Sequence, residues 1–108
     1  MTTEQLKECF ERLSDKHYLQ TKDLDPKYRV ASHKDLCAFL ILDKIDPGHV
    51  GHMPGNMFCT VGSAEHDQIW LRHNLDIIAL RLTEDDVKAL IQCGVILDKE
   101  TKSLSMFV

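Results

Sequence analysis

Leu6, Cys9, Phe10 and Leu13 recur at i, i+3, i+4 and i+7, with Glu4, Lys7, Glu8 and Glu11 on the opposite side. That spacing predicts an amphipathic helix over residues 2–13. Thr2 and Gln5 stand at capping-box distance, which satisfies two of the orphan N–H groups at its start. Residues 17–31 show no period. Asp25-Pro26 disfavours a helix through that point, and a short turn over residues 26–28 shortens the connector. Tyr18, Leu19, Leu24, Tyr28 and Val30 supply apolar weight to hold it against a core.

The pattern changes over residues 32–45. Leu36, Cys37, Ala38, Phe39, Leu40, Ile41 and Leu42 follow one another without a polar break. A helix apolar on nearly every side is expected at the centre of a fold. Ser32 is its expected N-cap, Asp35 suits the first turn, and Asp46-Pro47-Gly48 ends it. Residues 49–56 read as a loop by composition. A strand is predicted over 57–61, a turn over 62–67 and a second strand over 68–73, together a hairpin. Asn74 is a candidate cap for a short helix over 75–80.

The closing segment is the most regular. Thr83 is a predicted N-cap, and Glu84, Asp85 and Asp86 place negative charge where the exposed N–H groups of a first helical turn favour it. Val87, Leu90 and Ile91 form the apolar face, and Gly94 is the expected left-handed residue after the helix. Residues 95–97 and 104–107 read as strands about a polar turn. The expected fold class is α+β, one domain over residues 1–108. About three helices pack on an antiparallel sheet of about four strands. The strand order stays open. If strand 104–107 lies at a sheet edge, it offers a pairing site to a second copy, so a homodimer is possible.

Composition narrows the function classes. The chain has 108 residues and a formal charge of −4, with dispersed acids and no basic stripe. Direct nucleic-acid binding is therefore not expected. The start lacks a basic region followed by an apolar run, and the apolar run at 36–42 is too short to span a bilayer. A cytoplasmic protein without a membrane anchor is expected. Cys9, Cys37, Cys59 and Cys93 are widely spaced among apolar neighbours and read as small buried hydrophobes.

Candidate chemistry concentrates between residues 49 and 73. His49 and His52, with His66, are the weak candidate metal ligands, but zinc sites need three or four converging ligands and only one pair is closely spaced here. No metal and no cofactor is expected. His66 between Glu65 and Asp67 resembles a general base, yet no nucleophile motif stands near it, so no catalytic residue is assigned. The loop 47–56 carries three glycines without Lys or Arg and matches neither phosphate-binding fingerprint. Trp70 alternates with Ile69 and Leu71. It is either an exposed interaction anchor or an inward residue, and the alternation leaves both open.

From Ala64 onward, Ala64-Glu65-His66-Asp67, Ile69-Trp70-Leu71, Thr83-Glu84-Asp85-Asp86-Val87, Cys93-Gly94-Val95 and Met106-Phe107 resemble a family of small phage and prophage accessory proteins. The resemblance covers about the C-terminal two-fifths of the chain. It brings no activity. What it implies is context: a host cytoplasm, and a host protein as partner.

The first expectation is therefore a non-enzymatic protein that binds and modulates a host protein, for example a defence complex such as a CRISPR effector. Glu65, Asp67, Trp70 and Arg72 are the expected contact residues. Two alternatives stay open. One is a binder of a small nucleotide signal through His49 and His52. The other is a small metal-dependent hydrolase built on His49, His52 and His66.

Overall fold

Thr2 takes extended backbone, and its side chain accepts from the Gln5 N–H while the Gln5 side chain accepts from the Thr2 N–H. The expected capping box thus starts helix α1, Thr3–His17, in a computed structural model that describes residues 1–45, 61–65, 67–71, 75–98, 100 and 102–107. The helix buries Leu6, Cys9 and Phe10, as its apolar period requires, and runs four residues past the expected end at Leu13.

The connector after α1 folds into two short 3₁₀ turns, Thr21–Asp23 and Pro26–Tyr28. Asp25 caps the second by accepting from the Lys27 N–H at 3.0 Å. Arg29 then ties the connector together. Its guanidinium donates to the carbonyls of Leu24, Thr21 and Lys22 at 3.1, 2.9 and 2.9 Å. These contacts give the Leu24 and Lys22 carbonyls a donor and add a second to the Thr21 carbonyl, which already accepts from the Leu24 N–H at 3.1 Å.

Helix α2 spans Lys34–Ile45. It begins two residues beyond the expected cap Ser32. Its place in the fold corrects the expectation. Only Cys37, Ala38, Ile41 and Leu42 are buried, while Leu36 and Leu40 are 45% and 47% exposed. The helix lies at the side of the fold, not at its centre. The remaining elements are strand β1, Val61–Glu65, strand β2, Gln68–Leu71, helix α3, Leu75–Arg81, helix α4, Glu84–Gln92, strand β3, Val95–Asp98, and strand β4, Ser103–Phe107.

The central helix is α4. It packs against α1, α2 and β3. Val87, Ala89, Leu90, Ile91 and Gln92 are all buried in it. Thr83 and Asp86 form a second capping box at its start. Gly94 follows with φ +99°, so the expected left-handed stop holds. A Cβ at Gly94 would also approach Leu19 Cδ2 to 2.8 Å, because Leu19 folds back and its N–H donates to the Ile91 carbonyl at 3.1 Å.

Among the described residues four antiparallel strands form one sheet in the order β1-β2-β4-β3. The α+β class is as expected, with four helices among the described residues. Three local expectations are corrected. The first strand of the hairpin includes residues 61–65, which the composition had assigned mostly to a turn; residues 57–60 lie outside the described residues. Glu65 pairs with Gln68, so the connection is only residues 66–67. The register slips between Val61 and Ser63, and Gly62 stands at that irregularity. A glycine that reads as a turn residue marks a bulge here. Lastly, β4 lies inside the sheet between β2 and β3, which removes the edge-strand argument for self-pairing.

Val95, Leu97, Leu104, Met106, Ile69 and Leu71 face the helices and join Leu6, Phe10, Leu42, Ile78, Leu90 and Ile91 in one apolar core. Alternation then sends Gln68, Trp70, Ile96, Asp98, Ser103, Ser105 and Phe107 to the opposite side of the sheet.

Candidate functional site

That opposite side holds most of the expected contact residues that the structure describes. Ile69 and Leu71 pack on the core, so Trp70 points away from it. Trp70 is nevertheless only half-exposed. Its indole Nε1 donates to Asp98 Oδ2 at 2.9 Å. Trp70 is on β2 and Asp98 on β3, with β4 between them. Two strand spacings amount to about 10 Å, so the indole must lie across β4 to reach.

Ser105, the direct partner of Trp70 on β4, is completely buried although it faces away from the core. The overlying indole accounts for this. Ser105 Oγ is satisfied by Gln68 Nε2 at 3.1 Å. Ile96 faces the same row from β3. The second oxygen of Asp98 accepts from the Glu100 N–H at 2.9 Å, which shapes the β3–β4 turn. The sheet therefore carries a small second layer, with Trp70 as its lid and Asp98 as its clasp.

Glu65 is directly opposite Gln68, two residues from Trp70, so Glu65 shares the Trp70 face. Glu65 and Asp67 are both exposed beside the β1–β2 turn. Phe107 pairs with Gln68 at that end and is 51% exposed. The structure thus brings Glu65, Asp67 and Trp70 together and adds Phe107, Ile96 and Asp98, which carry no signal beyond strand and turn in the sequence. A period-2 pattern read jointly over β2, β3 and β4 contains that grouping, once the strand order is known. Arg72, His49, His52 and His66 lie outside the described residues.

Glu84, Asp85 and Asp86 all lie in the first turn of α4, and two of them have side-chain partners. Glu84 accepts from Arg12 Nη2 at 2.5 Å on the surface. Asp86 accepts from the Tyr28 hydroxyl at 2.6 Å and from the Thr83 N–H at 3.0 Å. Burial opposes the ionisation of Asp86, but the Tyr28 hydroxyl, Thr83 and Lys27 together outweigh it and hold the carboxyl below its ordinary range. Burial first, then Asp86, pushes the Tyr28 phenol well above its ordinary value.

Cys9, Cys37 and Cys93 are free and buried. Burial, with a contribution from Cys37, pushes the Cys93 thiol up to about 11. Burial and the nearby Glu84 also raise Cys9. Thiols held protonated in this way are poor nucleophiles. Among the described residues no group of three His, Cys, Asp or Glu side chains converges as a metal site, and no helix is long and apolar enough to cross a membrane.

A concavity opens between the Pro26–Tyr28 turn and helices α2, α3 and α4. It measures ≈ 570 Å³ and is lined by Lys27, Tyr28, Val30, Leu40, Ile41, Lys44, Ile45, Arg81 and Asp86. Its residues lie up to sixty positions apart in the chain, so no local motif signals it. The one hint is the apolar run 36–42, which carries more apolar residues than one buried helix face can use.

Comparison with protein-family models, with curated proteins and with solved structures finds no match.

Proposed function

We propose that this chain is a non-enzymatic binding protein that docks a partner protein through the outer face of its sheet. One observation carries the reading: Trp70 stands on the solvent side with its ring fixed by Asp98, beside the exposed Phe107 and the acids Glu65 and Asp67. Interface anchors are enriched in tryptophan, and an anchor already held in one geometry loses little freedom on binding. An apolar centre with a charged rim is the ordinary anatomy of such a contact. The acidic rim favours a basic counter-surface.

The resemblance to phage and prophage accessory proteins supports a host partner in a bacterial cytoplasm. A defence complex such as a CRISPR effector is the partner class to test first. Tagged chain is used to capture partners from such a lysate, and each partner is then titrated in purified form. Phe107→Glu and Asp67→Lys change the exposed rim and leave the Trp70–Asp98 contact in place. The expected result is a partner bound by the unaltered chain and lost by both variants. A partner bound equally by all three chains would place the interface elsewhere, and no partner at all would count against a binding protein.

A further inference from the structure

The groove between the Pro26–Tyr28 turn and helices α2, α3 and α4 shares no residue with the sheet face. Its floor is aliphatic: Ile41 is buried, while Val30 and Leu40 are 57% and 47% exposed. Leu40 belongs to α2, whose buried face already uses Cys37, Ala38, Ile41 and Leu42. An exposed leucine beside an exposed valine is not required by the core. Its presence in a concave site is what an apolar ligand body would use.

The rim has the opposite character. Lys27, Lys44 and Arg81 line it against a single carboxylate, Asp86. That carboxylate already accepts from Tyr28 and Thr83. Lys27 lies over the Tyr28 ring at 5.1 Å from its centroid, and neither it nor Lys44 forms an ion pair with a described residue. Arg81 Nη1 donates to the Ile45 carbonyl at 2.8 Å. This fixes the guanidinium at the mouth and leaves its remaining donors for a second acceptor. Asp25 and Asp85 also act on Tyr28 at one end of the groove, so the positive charge is concentrated at the other end, where Lys44 and Arg81 stand beside Ile45.

We propose that this groove binds a small organic anion with an aliphatic body, of the class of medium-chain carboxylates. The carboxylate lies among Lys44, Arg81 and Lys27, where it can accept from the guanidinium side-on. The hydrocarbon lies on Val30, Leu40, Ile41 and Ile45. The volume of ≈ 570 Å³ falls within the range of about 300–1,000 Å³ typical of small-molecule sites.

The test uses the full chain labelled with ¹⁵N and titrated with octanoate, octan-1-ol and acetate, each followed by amide chemical shifts. Octanoate is expected to give saturable shifts at Tyr28, Leu40, Lys44 and Arg81, with octan-1-ol and acetate weaker by about tenfold or more. Lys44→Glu reverses an exposed charge without a described hydrogen bond to lose. It is expected to weaken octanoate about tenfold and to lower the melting temperature only slightly, through loss of a cation from the last turn of α2. Equal binding of octanoate and octan-1-ol would overturn the role of the cations. Equal shifts from acetate would overturn the role of the aliphatic floor. Octanoate shifts confined to other residues, or affinity unchanged in Lys44→Glu, would overturn the site.

Discussion

Trp70 and Asp98 sit two strands apart in the sheet, and a 2.9 Å hydrogen bond from Nε1 to Oδ2 joins them across β4. The same carboxylate holds the Glu100 N–H. One side chain therefore fixes both the aromatic lid and the turn beside it. Asp98→Ala is expected to cost about 1–2 kcal/mol, because the indole N–H and the Glu100 N–H lose their acceptor together. Trp70 is the only tryptophan, so its emission reports directly. The variant is expected to shift the native maximum to longer wavelength and to raise quenching by acrylamide. An unchanged spectrum would mean that the indole is held by its packing alone.

Ser105 gives a complementary prediction from beneath the ring. It is fully buried under the indole and accepts from Gln68 at 3.1 Å. Ser105→Leu adds bulk where no space remains, so the indole must lift and release Asp98. A loss of about 1–3 kcal/mol is expected, the usual range for an overfilled site. Urea unfolding measures it. The same red shift of tryptophan emission should accompany it, since both substitutions free one ring.

How much of this was legible in the sequence varies with the range of the interaction. The caps at Thr2 and Thr83 and the stop at Gly94 depend on residues within four positions, and all three stand where the spacing put them. The central helix was misplaced for a reason of competition. The run 36–42 is the most apolar in the chain, but α4 is the element that α1, α2 and β3 all touch. The expected apolar face of α4 is Val87, Leu90 and Ile91, yet Ala89 and Gln92 are buried too, Gln92 with its amide donating to the Asp23 carbonyl at 3.4 Å. Gly62 reads as a turn because composition cannot distinguish a loop from a strand irregularity. The face of Trp70 waited on the packing of Ile69 and Leu71, and its bond to Asp98 waited on the placing of β4 between β2 and β3; strand order leaves no local trace.

Gly94 is constrained twice, by its φ of +99° and by Leu19 lying where a Cβ would project. Gly94→Ala is expected to destabilise the chain by about 1–2 kcal/mol from backbone strain alone. The Leu19 contact adds to this. Leu19→Ala introduced into Gly94→Ala should recover the steric part and leave the backbone part. The double-mutant cycle is then non-additive, as expected for groups in contact. Strict additivity would show that Leu19 moves aside freely.

Buried thiols should be silent in the native state. Cys93 is fully buried and its thiol is pushed up to about 11, first by burial. An aromatic disulfide reagent at pH 8 is expected to leave Cys9, Cys37 and Cys93 unmodified in the folded chain and to label all three in urea. Peptide mass mapping assigns each site. Rapid native labelling of Cys93 would contradict both its burial and its raised thiol pKa.

Tyr28 and Asp86 link the connector to the first turn of α4, at 2.6 Å between hydroxyl and carboxylate. Asp86 is held below its ordinary range even though burial opposes this. A carboxyl with a depressed folded pKa contributes stability above its unfolded value, near 3.9, and that contribution is lost as pH falls through the folded value. Tyr28 is shifted the other way, first by burial and then by Asp86. A raised phenol contributes stability below its unfolded value, near 10, and loses it as pH rises beyond that. Tyr28→Phe removes the phenol's own titration and the hydroxyl's share of the Asp86 effect, while Thr83 and Lys27 still hold the carboxyl. Both groups are partly exposed, so the cost at pH 7 is expected to be about 1 kcal/mol. The difference between the two chains should narrow below about pH 4 and again above about pH 10, since each limit removes one charge state that the bond favours. Urea unfolding across that range measures it. No difference at any pH would mean that Tyr28 acts through its ring alone and that the hydroxyl contributes nothing to holding Asp86.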